Sequence, residues 1–218
     1  MKSFIYLIIL MVITGFANDV NAQENNKSYS GYVLLENGEK VTGNIEMLSP
    51  VMNQVKVKVK SLDNLNQKVF KSQEVKEYAF QIEVWNHKTR EYTTEWVRYS
   101  NREVGRSATL FGSKNTLLLQ ELAGTVSYFN YFYQSNSDVD NPVKNVVYIE
   151  KRNHERGLVE LNKENYKEVL KNMTYDFVEL HAKIGTSQYA FNNVKKIISE
   201  YNEYMEEFGE ETVLTSAN

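Results

Sequence analysis

Gly31-Tyr32-Val33-Leu34-Leu35-Glu36-Asn37-Gly38-Glu39-Lys40-Val41-Thr42-Gly43-Asn44-Ile45-Glu46-Met47 is the stretch on which the reading of the fold turns. Two apolar runs, 32–35 and 41–47, flank Asn37-Gly38. A two-residue hairpin turn needs positive φ at its central positions, and Asn-Gly adopts it at the least cost. The stretch therefore predicts a β-hairpin turning at Asn37-Gly38 and ending at Ser49-Pro50.

Downstream the same period of two continues. Val55, Val57 and Val59 alternate with Lys56, Lys58 and Lys60, which puts the valines on one face of a strand and the lysines on the other. The lysine row reads as a solvated sheet face or a guard against edge pairing. It also suits an anionic glycan or a lipid headgroup. Short apolar runs recur at 69–70, 75–80, 82–85 and 92–99, and again at 117–122, 124–134 and 146–150. They predict further antiparallel strands, with a loop at 135–142 and a turn at His154-Glu155-Arg156-Gly157. The polar residues 101–114, with Gly105 and Gly112, predict a connecting segment between a β-rich region at 31–100 and a second strand group at 115–160.

After residue 160 the period lengthens to about 3.6. Tyr166, Val169, Leu170 and Met173 share one helical face, with Asn162 as N-cap. Thr174 or Asp176 would cap a second short helix through Phe177, Leu180 and Ile184, ended by Gly185. Val194, Ile197, Ile198, Tyr201, Met205 and Phe208 form the stripe of a last helix, ended by Gly209. The expected fold class is α+β: an N-terminal antiparallel β-rich region, then a helical tail at 161–209 packing on the sheet, and a frayed 210–218. The strand around Phe129 and Tyr131 is the expected dock for the last helix.

The first 22 residues have a different character. Lys2 precedes an apolar run from Phe4 to Phe16, and Val20-Asn21-Ala22 places small or modest side chains at a cleavage site before Gln23. These are the elements of a secretory signal peptide, and the run is short of the roughly 20 apolar residues of a membrane-spanning anchor. A polar leader, 23–30, would follow cleavage. With no cysteine in the chain, a lipid-anchored lipoprotein is excluded, and export into a bacterial envelope fits better than a disulfide-stapled eukaryotic secreted domain. The expected location is extracytoplasmic: periplasmic, outer-membrane-associated or secreted. Removing Lys2 and Asp19 with the signal leaves the net charge at −3, without the strongly basic balance that nucleic-acid binding favours. Two prolines and an apolar share of 42% argue for a folded chain.

Several segments together resemble a group of uncharacterised exported proteins of the Bacteroidota. They are the opening hairpin 31–45, the link 72–80, the aromatic strand 126–133 followed by Tyr148-Ile149-Glu150-Lys151, and the helical end Ile197-Ile198-Ser199-Glu200-Tyr201-Asn202. Members often carry a cysteine in the first helical segment, where residues 174–180 here have none. The resemblance implies an extracytoplasmic location, a strand-rich N-terminal region and a helical C-terminus. It carries over no functional residue.

No catalytic constellation is legible. His87, His154 and His181 form neither a His-Glu-x-x-His motif nor an i, i+4 pair. No Gly-x-Ser-x-Gly elbow, phosphate-cradling loop or dinucleotide fingerprint is present. No cofactor and no metal are called for. The most suggestive stretch is Tyr128-Phe129-Asn130-Tyr131-Phe132-Tyr133, aromatic on both faces of a strand. Phe129, Tyr131 and Tyr133 are the candidate binding surface, with core packing as the simpler account, and Trp85 and Trp96 are expected in the core in the same way. The expected function is a non-enzymatic envelope module that binds or scaffolds, its partner an envelope protein or a glycan. The alternative is an extracytoplasmic hydrolase of glycan or peptide, with carboxylates assembled only in the fold. A secreted toxin-like factor is a third class for which no residue speaks.

Overall fold

The computed structural model describes residues 27–61, 66–104, 115–135 and 143–215, with side chains to Phe208. The signal segment, most of the connecting segment and most of the 135–142 loop lie outside the described residues. Ten antiparallel strands form one sheet: β1 (Ser28–Leu35), β2 (Lys40–Glu46), β3 (Lys56–Ser61), β4 (Gln67–Lys71), β5 (Val75–Asn86), β6 (Glu91–Glu103), β7 (Asn115–Leu122), β8 (Val126–Gln134), β9 (Val143–Lys151) and β10 (Leu158–Leu161). Their spatial order is β10-β9-β8-β7-β6-β5-β1-β2-β3-β4. The two expected strand groups are thus one continuous sheet. β6 runs through Glu103, so the first three residues of the expected connection are strand.

The opening hairpin turns at Asn37-Gly38 as its sequence predicts, but Gly38 alone takes the positive φ expected of both central positions, and a four-residue connection, 36–39, replaces the two-residue turn. Gly38 has φ +87°, and its N–H donates to the Leu35 carbonyl. Gly31 faces Gly43 across the β1–β2 ladder, and a Cβ at either would strike a carbonyl oxygen of the neighbouring strand. This pair lets the sheet bend sharply.

The bend gives the sheet an inner and an outer face. Val57 and Val59 of β3 share one hydrophobic cluster with Leu117 of β7. Five strand spacings separate those strands, about 24 Å in a flat sheet, so the sheet curls until its inner face closes on itself. A four-residue helix, α1 (Pro50–Asn53), sits at the closure with Gln54 following it. Gln54 carbonyl accepts from Leu117 N–H. Its side-chain Nε2 donates to the Phe132 carbonyl at 2.6 Å, and Phe132 N–H donates to its Oε1 at 2.6 Å. Where β7 and β8 part, one side-chain amide stands in for the missing ladder partner. Tyr78 hydroxyl, stacked on Tyr99 at 4.7 Å, donates to the Asn53 carbonyl beneath.

The helices cover the rest of the inner face: α2 (Tyr166–Met173), α3 (Val178–Lys183) and α4 (Val194–Thr215). Ile197, Ile198 and Tyr201 pack on Val126, Tyr128 and Ile149. The expected dock is therefore the right strand but the wrong face, because β8 offers Val126 and Tyr128 inward and Phe129 and Tyr131 outward. Asn202, also buried, accepts from Val126 N–H and donates to Val126 carbonyl, both at 2.8 Å, closing the other end of the β7–β8 gap. Two polar networks fix the helices further. Tyr201 hydroxyl donates to Asp176, which also pairs with Lys151 at 3.1 Å, while Glu200 accepts from Lys183 and Tyr189.

The helix boundaries depart from expectation in three places. Asn162 accepts from the N–H groups of Glu164 and Asn165, organising the turn before α2 rather than capping the helix. Neither Thr174 nor Asp176 caps α3, whose N-cap is Phe177. Asp176 is instead engaged by Lys151 and Tyr201. Gly185, at φ +101°, does end its segment. Gly209 does not end α4, which continues to Thr215 through positions expected to fray. A single glycine costs a helix only about 1 kcal/mol relative to alanine. No described helix is long and apolar enough to cross a membrane.

Candidate functional site

The outer face has two regions of different chemistry. Over β7–β9, Leu118, Phe129, Tyr131 and Tyr148 pack with Val104 into a third cluster. Phe129 is 0% and Tyr131 6% exposed, whereas Tyr133, stacked on Tyr131 at 6.5 Å, is 36% exposed. The candidate aromatic surface thus reduces to Tyr133 at its border, since Arg102 and the neighbouring apolar side chains cover the other two.

Beside this cluster the outer face is polar. Arg98, Ser100 and Arg102 alternate along β6, Gln120 lies opposite Arg98 on β7, Ser127 follows on β8, and Glu150 pairs with Ser127 from β9. With Glu77 of β5 and the 152–157 turn they line a recess of about 480 Å³. Its floor is an ordered relay: Ser100 Oγ donates to Gln120 Oε1 at 3.0 Å, and Gln120 Nε2 donates to Ser127 Oγ at 3.3 Å. Arg102 is held rigidly. Its Nε donates to Glu150 at 2.8 Å, its Nη1 to the Asn101 carbonyl at 2.8 Å, and its guanidinium lies 5.0 Å from the Phe129 ring centre. Arg98 and Arg152 also line the recess, and neither guanidinium is hydrogen-bonded or ion-paired to a described residue. Lys151 contributes backbone here, its ammonium being turned through the sheet to Met173 and Asp176. Four cationic side chains, Lys76, Arg98, Arg102 and Arg152, thus stand against two carboxylates, Glu77 and Glu150.

Both carboxylates have partners. Glu150 holds Arg102, and Glu77 accepts from Tyr32 hydroxyl at 2.7 Å. Burial, then that hydrogen bond, push the Tyr32 phenol above its ordinary range. Glu77 and Glu150 stand on strands four apart, a backbone separation of about 19 Å in a flat sheet before their side chains reach out. A glycosidase holds its acids about 5–9.5 Å apart.

One end of the recess opens onto a projecting arm. β1 pairs with β5 no further than Phe80, and β7 pairs with β6 no earlier than Arg98, so residues 81–96 form a two-stranded ribbon without a third strand among the described residues. Trp85, Tyr92 and Trp96 lie on its outer face and are exposed, Tyr92 at 69% and Trp96 at 53%. Trp85 and Trp96 are therefore not core residues, because the ribbon extends past the strands that flank it among the described residues. Trp96 leans on Tyr32 at 6.0 Å, and Trp85 on Tyr92 at 5.0 Å.

His154 lines the recess through its turn, and its Nδ1 accepts from Arg156 N–H. Among the described residues no group of three metal-ligating side chains comes together. The Lys56/Lys58/Lys60 row splits in its roles, Lys58 pairing with Glu46 at 2.8 Å. Sequence reasoning missed the recess entirely. The usable signal was Trp96-x-Arg98-x-Ser100-x-Arg102, a polar and aromatic face alternating with Val97 and Tyr99. The chain matches no family model, no curated protein and no solved structure.

Proposed function

We propose that the protein is an exported, non-enzymatic binding module, and that the outer-face recess is its ligand site. The observation that carries this is the recess itself: about 480 Å³, lined by two untied arginines and an immobilised third, with both of its acids already engaged. The site is concave with convergent polar groups, and its lining is charged and polar where most ligand pockets are apolar, which suits a polar ligand. Residues held by their own neighbours before a ligand arrives lose little freedom on binding. Export rests on residues 1–22 and on their basic, apolar and small-residue order.

The competing reading is a hydrolase using Glu77 and Glu150, the two acids of the recess. Incubating the purified protein with polysaccharides and peptides, while recording both retention and product release, separates the two. Retention without turnover is the expected result. Turnover abolished by Glu77→Gln or Glu150→Gln would establish the hydrolase instead. Export is tested by mass spectrometry of the native protein, which should begin at or near Gln23, and an intact Met1 on the bulk of it would refute export.

A further inference from the structure

We infer that the recess takes an acidic sugar, a hexuronate unit of an extended oligosaccharide, with neighbouring rings lying on the aromatic arm. This inference rests on the recess being a ligand site and adds the class of ligand.

The floor argues for a polyol. Both serines lie at the buried base of the recess, Ser100 4% and Ser127 9% exposed. Ser100 spends its proton on Gln120 and keeps only acceptor capacity, while Ser127 accepts from Gln120 and keeps its own proton to donate. Fixed acceptor and donor side by side suit sugar hydroxyls, each of which both donates and accepts. A simple anion would use only the donor, and a peptide carboxylate would meet the acceptor unfavourably.

The rim argues for a negative charge. Arg98 and Arg152 are untied, and a guanidinium meets a carboxylate in a bidentate fork. Arg102 spends two of its five N–H donors on Glu150 and the Asn101 carbonyl, so it is a cation already fixed in position beside the two untied ones.

The arm argues for length. Trp96 lies two residues before Arg98 on the same face, about 7 Å along the strand, and the Trp85–Tyr92 pair lies about 14 Å beyond Trp96. Exposed indole and phenol rings present flat apolar area with a polar edge. A charged ring in the recess would carry its neighbours out over Trp96 at a spacing an oligosaccharide can match.

The test is isothermal titration calorimetry on the purified protein with trimers of galacturonate, glucuronate and mannuronate, against neutral galactotriose and a tetraglutamate peptide. At least one uronate trimer should bind, with galactotriose weaker by about tenfold or more, the loss expected when a charge-assisted hydrogen bond is removed. Arg98→Ala and, independently, Arg152→Ala should each weaken the trimer about tenfold with melting temperatures unchanged, and Ser127→Ala and Trp96→Ala severalfold. Galactotriose binding as tightly as the uronates would refute the role of charge. Tetraglutamate binding as tightly or more so, with the Arg98→Ala loss retained, would replace the sugar by an acidic peptide while leaving the recess a ligand site. Saturable uronate binding indifferent to both arginine variants would place the site elsewhere. No saturable binding of any probe would overturn the inference alone, the binding module being decided by the retention assay above.

Discussion

Gln54→Glu is the sharpest perturbation available in this fold. The Gln54 side chain is 2% exposed and grips Phe132 on both sides, one amide donating and accepting at 2.6 Å each way. Glutamate has the same shape but, ionised, can only accept. Phe132 N–H keeps its partner while the Phe132 carbonyl loses its donor and faces a carboxylate oxygen. The lost hydrogen bond is worth about 1 kcal/mol and the buried carbonyl left unpaired about 1–3 kcal/mol. Protonation caps the damage, since holding a carboxyl neutral at pH 7.5 against an unfolded pKa of about 4.3 costs about 4 kcal/mol. The expected loss at pH 7.5 is therefore about 2–4 kcal/mol, or about 5–15 °C in melting temperature for a chain of this size. The protonated acid can donate to the Phe132 carbonyl again, which raises its folded pKa above the unfolded one. The folded state then holds the extra proton, so stability lost as pH rises through the raised folded value returns in full below the unfolded value. Thermal melts of both proteins at pH 7.5 and 4 check this. A variant that melts with the parent at pH 7.5, or a gap between them that does not narrow on acidification, refutes the clamp.

Ile198→Asp places a charge in the helix–sheet core, where Ile198 is buried among Val126 and Tyr128; the cost of several kcal/mol should abolish the cooperative melt, and an unchanged melt would mean α4 is not docked. Gly38→Val forces a β-branched residue to φ +87° and should cost about 1 kcal/mol or more, read from urea midpoints; no shift would place the strain elsewhere. Burial raises the Glu200 carboxyl, but hydrogen bonds from Lys183 and Tyr189 outweigh it and hold the group below its ordinary value. Its contribution is present above the ordinary carboxylate value and lost as pH falls through the lowered folded value. Glu200→Gln should therefore flatten the acid limb of stability against pH, and an identical acid limb would show that the network contributes nothing.

What the sequence revealed follows from what is local. The Asn37-Gly38 turn, the Val57/Val59 inward face and the Ile197–Ile198–Tyr201 stripe are period and turn chemistry within a few residues, and each forms where expected. What it hid depends on the neighbours a residue is given by topology. Phe129 and Trp96 are both strand aromatics in alternating runs. One is sealed under Arg102 and Val104 and the other stands in the open, because β8 lies within the sheet while β6 outruns it. The recess is hidden for the same reason. Its residues come from five strands and two turns, and the cross-strand hydrogen bond from Gln120 to Ser127 has no signature in either strand alone.

The two side-chain amides that close β8 also set a schedule. Gln54 reaches its strand from 78 residues upstream, and Asn202 from 76 downstream. Such distant closures carry a loop entropy that local contacts do not, and they slow folding. A growing chain can form the opening hairpin as soon as residue 46 is free, yet β8 has both ends of its ladder sealed only after Asn202 has been made. The middle of this protein is thus finished last, by its two ends, and a truncation ahead of Asn202 would be felt at Val126.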